Sequence, residues 1–208
     1  RKLNVDSWRN VVKIRTESIN AMGLTSDGKL VTAGETWCYR NEDSDLNVGD
    51  WSRIRDFTRS HASTAAINED GTVITAGSND YNERNVSGFS NIIQLVSGIG
   101  FTAGLRADGT VAFAGVDDVN NQKEGLSPGR TAHSRDLLKH PYDTSSWNHV
   151  VRLYSEPDMD SLNERLYGLR DDGTIIATGS LYSYQQVISH WTDIIDLFAY
   201  YGYVIGVK

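Results

Sequence analysis

A chain of 208 residues with a net charge of −7 lacks the basic surplus that a grip on nucleic-acid phosphates requires. One cysteine, Cys38, excludes an intrachain disulfide framework and any cysteine-rich metal site. No apolar run approaches the ~18 residues that cross a bilayer as a helix, while 19 glycines with abundant Val, Ile, Thr and Tyr suit short strands and tight turns.

In chain order, Leu3-Asn4-Val5 reads as a short outer strand, and Trp8 then opens a copy of a repeat. Strand one follows over 11–14 and strand two over 21–25. Asp27-Gly28 turns the chain, strand three runs over 29–33, and Gly34 closes the copy. The linker 35–45, ETWCYRNEDSD, leads to a second copy. It has Leu46-Asn47-Val48, Trp51, strands over 54–57 and 64–68, Asp70-Gly71, a strand over 72–76 and Gly77. The third has Asn85-Val86, Phe89, strands over 92–95 and 102–106, Asp108-Gly109, a strand over 110–114 and Gly115. After the long linker 116–143 comes the fourth, with Trp147, strands over 150–153, 166–170 and 174–178, Asp172-Gly173, Gly179 and an insertion near 155–165, SEPDMDSLNER. Trp191 opens a fifth, whose strands over 194–197 and 203–207 reach the last residue, Lys208.

Apolar residues three, often four, and six places after the aromatic predict a strand one with one face wholly buried. Asp-Gly between two apolar runs predicts a type I′ hairpin, which needs positive φ at both central residues. The closing glycine predicts a close approach of backbones. An aliphatic (Leu24, Ile67, Leu105, Val207) stands 16 residues after the aromatic, and Leu169 stands 22 after Trp147 because of the insertion. A fixed step near 40 residues is the mark of a repeat architecture. Short strands repeated in this way give an all-β fold, a β-propeller of four full blades and a partial fifth. The copies span 3–34, 46–77, 85–115, 147–179 and 185–208, as a single domain over 1–208.

The phrase Asn-Val-x-x-Trp-x-x-Ile-Val … Gly-Leu-x-x-Asp-Gly-Thr-Val-x-x-x-Gly resembles the repeat of the regulator of chromosome condensation family in its bacterial form. The resemblance covers nearly the whole chain apart from two long loops. It implies a β-propeller, usually of seven blades. It also implies functions as varied as guanine-nucleotide exchange and inhibition of β-lactamases by secreted members. A bacterial secreted or cell-surface setting is implied over a cytoplasmic one. The last copy lacks its third strand, so the chain reads either as a closed five-bladed ring with a thin last blade or as an arc of a larger propeller. An arc leaves unpaired strand edges, which invite self-association through the incomplete blade. With no initiator Met and no signal peptide visible, the chain reads as cut from something longer, or processed.

Following chain direction, the turns between strands one and two and all inter-blade linkers start on one face. Loops on a rigid scaffold are where recognition sits, so this face is the expected working surface. The expected partner-binding residues are Trp37, Tyr39, Tyr81, Phe101, Tyr182, Tyr184 and Tyr201, because aromatics give large contact area at low entropic cost. Tyr154 and Tyr200 divide between that face and packing between blades. The opening aromatics Trp8, Trp51, Phe89, Trp147 and Trp191 are structural. Glu42, Asp43, Asp45 and Asp50, with Glu156, Asp158, Asp160 and Glu164, give the face an acidic character that would steer a partner bearing a basic patch.

Asp43, Asp45 and Asn47 with Gly49 resemble a calcium loop, yet Val48 holds the glycine position and no Glu closes the loop. The five histidines have no metal spacing. No nucleophile elbow or phosphate loop occurs, so no catalytic residue, metal or cofactor is assigned. The leading expectation is a non-catalytic scaffold that binds a macromolecular partner. A carbohydrate- or small-ligand-binding module of a bacterial surface protein is the alternative, and an exchange factor the third.

Overall fold

The computed structural model describes residues 3–17, 20–35, 44–60, 62–98, 100–115, 142–156, 165–179, 188–200 and 203–208. Over these residues fourteen strands form five antiparallel sheets, one per sequence copy. The first sheet orders β1 (Val11–Glu17), β2 (Asn20–Thr25) and β3 (Leu30–Gly34). The second has β4 (Ile54–Arg59), β5 (Ser63–Asn68) and β6 (Val73–Gly77), and the third β7 (Ile92–Gly98), β8 (Phe101–Arg106) and β9 (Val111–Gly115). The fourth has β10 (Val150–Ser155), β11 (Arg165–Arg170) and β12 (Ile175–Gly179), and the fifth pairs β13 (Asp196–Tyr200) with β14 (Tyr203–Val207).

The blade entry is built the same way five times. The residue two places after each opening aromatic has positive φ: Asn10, Arg53, Asn91, His149 and Asp193, between 54° and 62°. This left-handed step turns the chain into strand one, and Asn, Asp and His tolerate it best. A register shift follows at the start of strand one in the first four sheets. The aromatic ring then lies over strand two. A Cβ on Gly104 would stand 3.0 Å from the Phe89 ring, and one on Gly206 would stand 2.8 Å from the Trp191 ring. The small residue ahead of each strand-two aliphatic is therefore the seat of the opening aromatic.

Two local expectations are corrected. The Asp-Gly turns are not type I′, because only the glycine has positive φ (76° to 81°) and the Asp does not. The Arg106 carbonyl accepts from Gly109 N–H at 3.0 Å, and Arg106 N–H donates to Thr110 O at 2.9 Å. That is the longer hairpin loop with a left-handed glycine, which also matches strand twist. The expected outer strands at 3–5, 46–48 and 85–86 are not strands. Val48 N–H bonds to Leu46 O and Trp51 N–H to Val48 O, so this backbone is satisfied locally rather than in a ladder. The closing glycines do as expected: φ is 102° at Gly77, and a Cβ there would stand 2.2 Å from the Ala62 carbonyl oxygen.

Among the described residues the core is not one mass but four clusters, each between successive sheets. Met22 and Leu24 meet Ile54 and Phe57, and Ala65 and Ile67 meet Ile92 and Leu95. Ala103 and Leu105 meet Val150 and Leu153, and Tyr167 and Leu169 meet Ile194 and Leu197. Strand two of one blade thus presents a front, and the aromatic and strand one of the next present a back. Strands one lie closest to each other across β4, β7, β10 and β13, which places them innermost. Their polar side chains tie blade to blade. Lys13 pairs with Asp56, and Gln94 exchanges two 2.8 Å hydrogen bonds with the Leu153 backbone. Arg152 Nη1 and the Tyr154 hydroxyl donate to Asp196 at 3.0 and 2.6 Å.

The question of ring or arc is decided by exposure. Among the described residues, substantial packing between sheets joins only successive ones. Ile14 on the first sheet and Phe198, Tyr203 and Ile205 on the fifth are exposed. The five sheets form an open arc. Isoleucine at the place four residues after the aromatic (Ile93, Ile195) is also exposed, so strand one is not buried along a continuous face.

Candidate functional site

One hydrogen bond, repeated four times, fixes the polarity of the arc. The Gly28 carbonyl accepts from Ile54 N–H at 2.9 Å, Gly71 from Ile92 at 3.1 Å, Gly109 from Val150 at 3.0 Å and Gly173 from Ile194 at 3.1 Å. Every Asp-Gly hairpin therefore shares one end with the start of the next strand one. The turns from strand one to strand two, and the closing glycines, lie at the other end.

The irregular segments begin and end at that other end. Asn20 Nδ2 donates to Glu35 O at 2.7 Å at the start of the 35–45 linker, and Thr64 Oγ1 donates to Asp45 O at 2.8 Å at its close. Ser78 N–H donates to Ala62 O at 2.8 Å. Asp143 N–H donates to Thr178 Oγ1 at 2.9 Å, closing the 116–143 linker. Glu156 N–H donates to Arg165 O at 3.1 Å, pinching the base of the insertion.

Under this rim lie buried charges. Arg59 at the end of β4 pairs with Asp45 and bonds Asn20 Oδ1, so one guanidinium joins blade one, the linker and blade two. Arg165 Nη1 donates to Glu156 at 2.6 Å, and the Tyr167 hydroxyl donates to the same carboxylate oxygen at 3.3 Å. Burial works to lower the Arg165 pKa, and Glu156 together with Tyr167 more than offsets it, so the net displacement is upward. Burial first, then the Glu156 charge, raises that of Tyr167. Glu83, in the linker between blades two and three, accepts from Tyr81 N–H at 2.8 Å. Burial raises its pKa to about 7.

This geometry corrects several expected site residues. Phe101 is fully buried, stacked on Phe113 with ring centroids 5.6 Å apart and against Tyr142 at 4.9 Å. It opens strand two and so belongs to the front of its blade. Tyr81 is buried too, its ring lying where Gly100 leaves room: a Cβ there would stand 3.0 Å from it. Neither residue offers contact area. Asp45 and Glu156 are not surface acids, being buried against arginines. Asp45 is thereby engaged by a cation within the segment that resembles a calcium loop. Asp50 is exposed. Tyr200 is exposed, and Tyr154 is half-buried against Asp196. Trp37, Tyr39, Tyr182, Tyr184 and Tyr201 lie outside the described residues, as do Glu42, Asp43, Asp158, Asp160 and Glu164. Among the described residues no three His, Cys, Asp or Glu side chains stand together as metal ligands, and no helix is long and apolar enough to cross a membrane.

Sequence reading missed Arg59, Asn20 and Arg165, because burial of a charge depends on what a distant segment brings to it. The position five places after the aromatic (Lys13, Asp56, Gln94, Arg152, Asp196) did carry a signal. It is polar in every copy, between the apolar places three and six after the aromatic.

No protein-family model matches the sequence, and no curated protein matches it. Solved structures do. Human WBSCR16 superposes with a TM-score of 0.60 at 14% identity, over 94% of this chain and 57% of that one. Yeast RCC1 (Prp20), solved bound to Kap60, gives 0.60 at 14% identity, over 95% and 54%. The chain folds as an arc of an RCC1-like β-propeller. The CRINKLY ectodomain of the Arabidopsis thaliana receptor kinase ACR4 gives 0.54 at 11% identity, over 81% and 50%. This RCC1-like arc thus spans about half the length of the structures it matches, and at these identities the likeness is one of fold. Prp20p from Saccharomyces cerevisiae is described with binding properties to Gsp1p and histones.

Proposed function

We propose that this RCC1-like arc is a non-catalytic scaffold that holds a macromolecular partner at the end formed by its strand one–two turns and inter-blade linkers. The observation that carries the reading is that the described residues flanking segments 36–43, 116–141 and 157–164 lie at one end, on anchors made by Asp45, Thr178 and Arg165. A rigid strand framework carrying variable loops at one end is the arrangement binding proteins use. The binding of Gsp1p and histones by Prp20p supports protein recognition as work this fold can do.

In this reading Trp37, Tyr39, Tyr182, Tyr184 and Tyr201 are the contact residues, and a net charge of −7 favours a partner with a basic patch. Affinity capture from the source organism with the wild-type chain and with a Trp37→Ala, Tyr182→Ala, Tyr184→Ala variant tests it. The expected result is a partner retained by the wild type and lost by the variant. Identical captured proteins would overturn the contact assignment. A nucleotide-release assay on small GTPases is expected to show no acceleration, which separates the scaffold from an exchange factor. A glycan array is expected to be empty, which separates it from a carbohydrate-binding module.

A further inference from the structure

The joint between blades one and two and the joint between blades two and three follow one plan and differ in one charge. Six places before the opening aromatic, both hold a buried carboxylate: Asp45 ahead of Trp51 and Glu83 ahead of Phe89. Eight places after the aromatic stand Arg59 and Ser97, which pair in register with Thr64 and Thr102. In the first joint Arg59 pairs with Asp45. In the second a hydroxyl holds the place of the cation, and Ser97 Oγ bonds Thr58 Oγ1 at 3.0 Å. Other cations are engaged elsewhere. Arg84 donates to Thr75 Oγ1 at 3.3 Å and to Gly77 O at 2.7 Å, and Arg59 is held by Asp45 and Asn20. Strands β5, β6 and β7 carry no charged side chain, and β8 carries only Arg106, at its hairpin end. Among the described residues, the charges that act most on Glu83 are Asp80, which opposes its ionisation, and then Arg84, which favours it.

Glu83 sits where it can control the linker 78–86. Ser78 N–H donates to Ala62 O at 2.8 Å, and the Tyr81 ring lies against Gly100 in the turn between β7 and β8. Tyr81 N–H in turn donates to the Glu83 carboxyl at 2.8 Å. We propose that Glu83 is a proton-operated latch: protonated, it holds this linker closed with Tyr81 seated at Gly100, and on losing its proton to water it lets the linker open. A neutral carboxyl is stable in a dry place, whereas a carboxylate without a cation needs water. Opening the linker is the way to supply it. Burial raises the closed value to about 7, against 4.5 for a solvated carboxyl in the open linker. The closed form therefore binds the proton more tightly. Closure is firmest below pH 4.5, weakens as pH rises to 7 and is level above it. The first joint, whose carboxylate has its arginine, carries no such latch. The latch needs no partner, so it stands or falls apart from the scaffold reading above.

Backbone hydrogen exchange, corrected for intrinsic rates, tests the proposal on the wild-type chain and on Glu83→Gln between pH 5 and pH 8. In the wild type, protection over 78–86 is expected to fall about 70-fold across that range, while protection in β1–β3 stays level. Glu83→Gln keeps the acceptor for Tyr81 N–H and has no proton to lose, so its protection over 78–86 is expected to stay at the closed level at both pH values. The carbon-13 shift of the Glu83 carboxyl, read on the wild type alone, is expected to titrate near 7. Protection over 78–86 that is level in the wild type, an equal fall in β1–β3, or the same fall in Glu83→Gln would each overturn the latch. A carboxyl that titrates near 4.5 would overturn it too, whether or not the variant folds.

Discussion

Arg53 occupies the left-handed entry position at which the other copies have Asn10, Asn91, His149 and Asp193. The left-handed conformation crowds any Cβ against the following carbonyl, and the short polar side chains of Asn and Asp offset this by local hydrogen bonding that Arg does not provide. The ion pair of Arg53 with Glu69, at 2.9 Å, is exposed on both sides and contributes little. Arg53→Asn is therefore expected to raise stability by about 0.5–1 kcal/mol, measured by urea denaturation. Glu83 gives a pH effect of definite sign. Its folded value is about 7 against the usual 4.5, so the folded chain binds more protons than the unfolded one between those values. Stability from this group is thus full below pH 4.5, falls as pH rises to 7 and is level above it. Glu83→Gln keeps an acceptor for Tyr81 N–H and removes the fall. The variant is expected to match wild type near pH 4.5 and exceed it by up to about 3 kcal/mol at pH 8, in denaturation curves at both pH values. The hairpin carboxylates act in the opposite sense. Thr110 donates its hydroxyl and N–H to Asp108, and the same pairing at Asp70 and Asp172 holds these acids below 3.8, so their contribution is lost only as pH falls through that range.

At the scale of elements, what holds a linker to its blade is charge placed under it. The Arg59–Asp45 pair is buried on both sides, with side chains 1% and 0% exposed. Removing one member leaves an uncompensated charge in a poorly solvated place. Asp45→Ala is expected to destabilise by about 3–5 kcal/mol in thermal or urea unfolding, against less than about 1 kcal/mol for Glu69→Ala at the exposed pair. The local part of this element-scale design was legible. Strand positions and the repeat step follow from apolar spacing and Asp-Gly, and the observed strands lie close to the expected ones. The hairpin type was not, because Asp-Gly fits more than one loop length, and the hydrogen bond from Arg106 to Thr110 selects among them. The site residues Tyr81 and Phe101 read as surface aromatics because nothing near them in sequence shows Gly100 or Tyr142 arriving to cover them.

The whole molecule is a row of nearest-neighbour joints, with no single core to lose. Stability in such an array is a sum of blade and joint contributions, so a lesion acts locally. Leu105→Ala, in the joint of the third and fourth sheets, is expected to destabilise that joint by about 2–5 kcal/mol. In hydrogen exchange, protection should fall in β7–β12 and stay nearly unchanged in β1–β3. Uniform loss of protection along the arc would contradict a row of separable joints.

The sequence by itself determined the all-β repeat, the place of strands one to three in each blade and the end from which its irregular segments depart, because these depend on spacing and chain direction alone. The tertiary structure decided that the five blades stop short of a ring, that Asp45 and Glu156 lie inside against arginines, and that two expected contact aromatics are core. Those facts depend on which surfaces meet across tens of residues, and burial is a property of the meeting rather than of either segment. A repeat repeats its side chains at every blade, and only the folded chain shows which of them another segment covers.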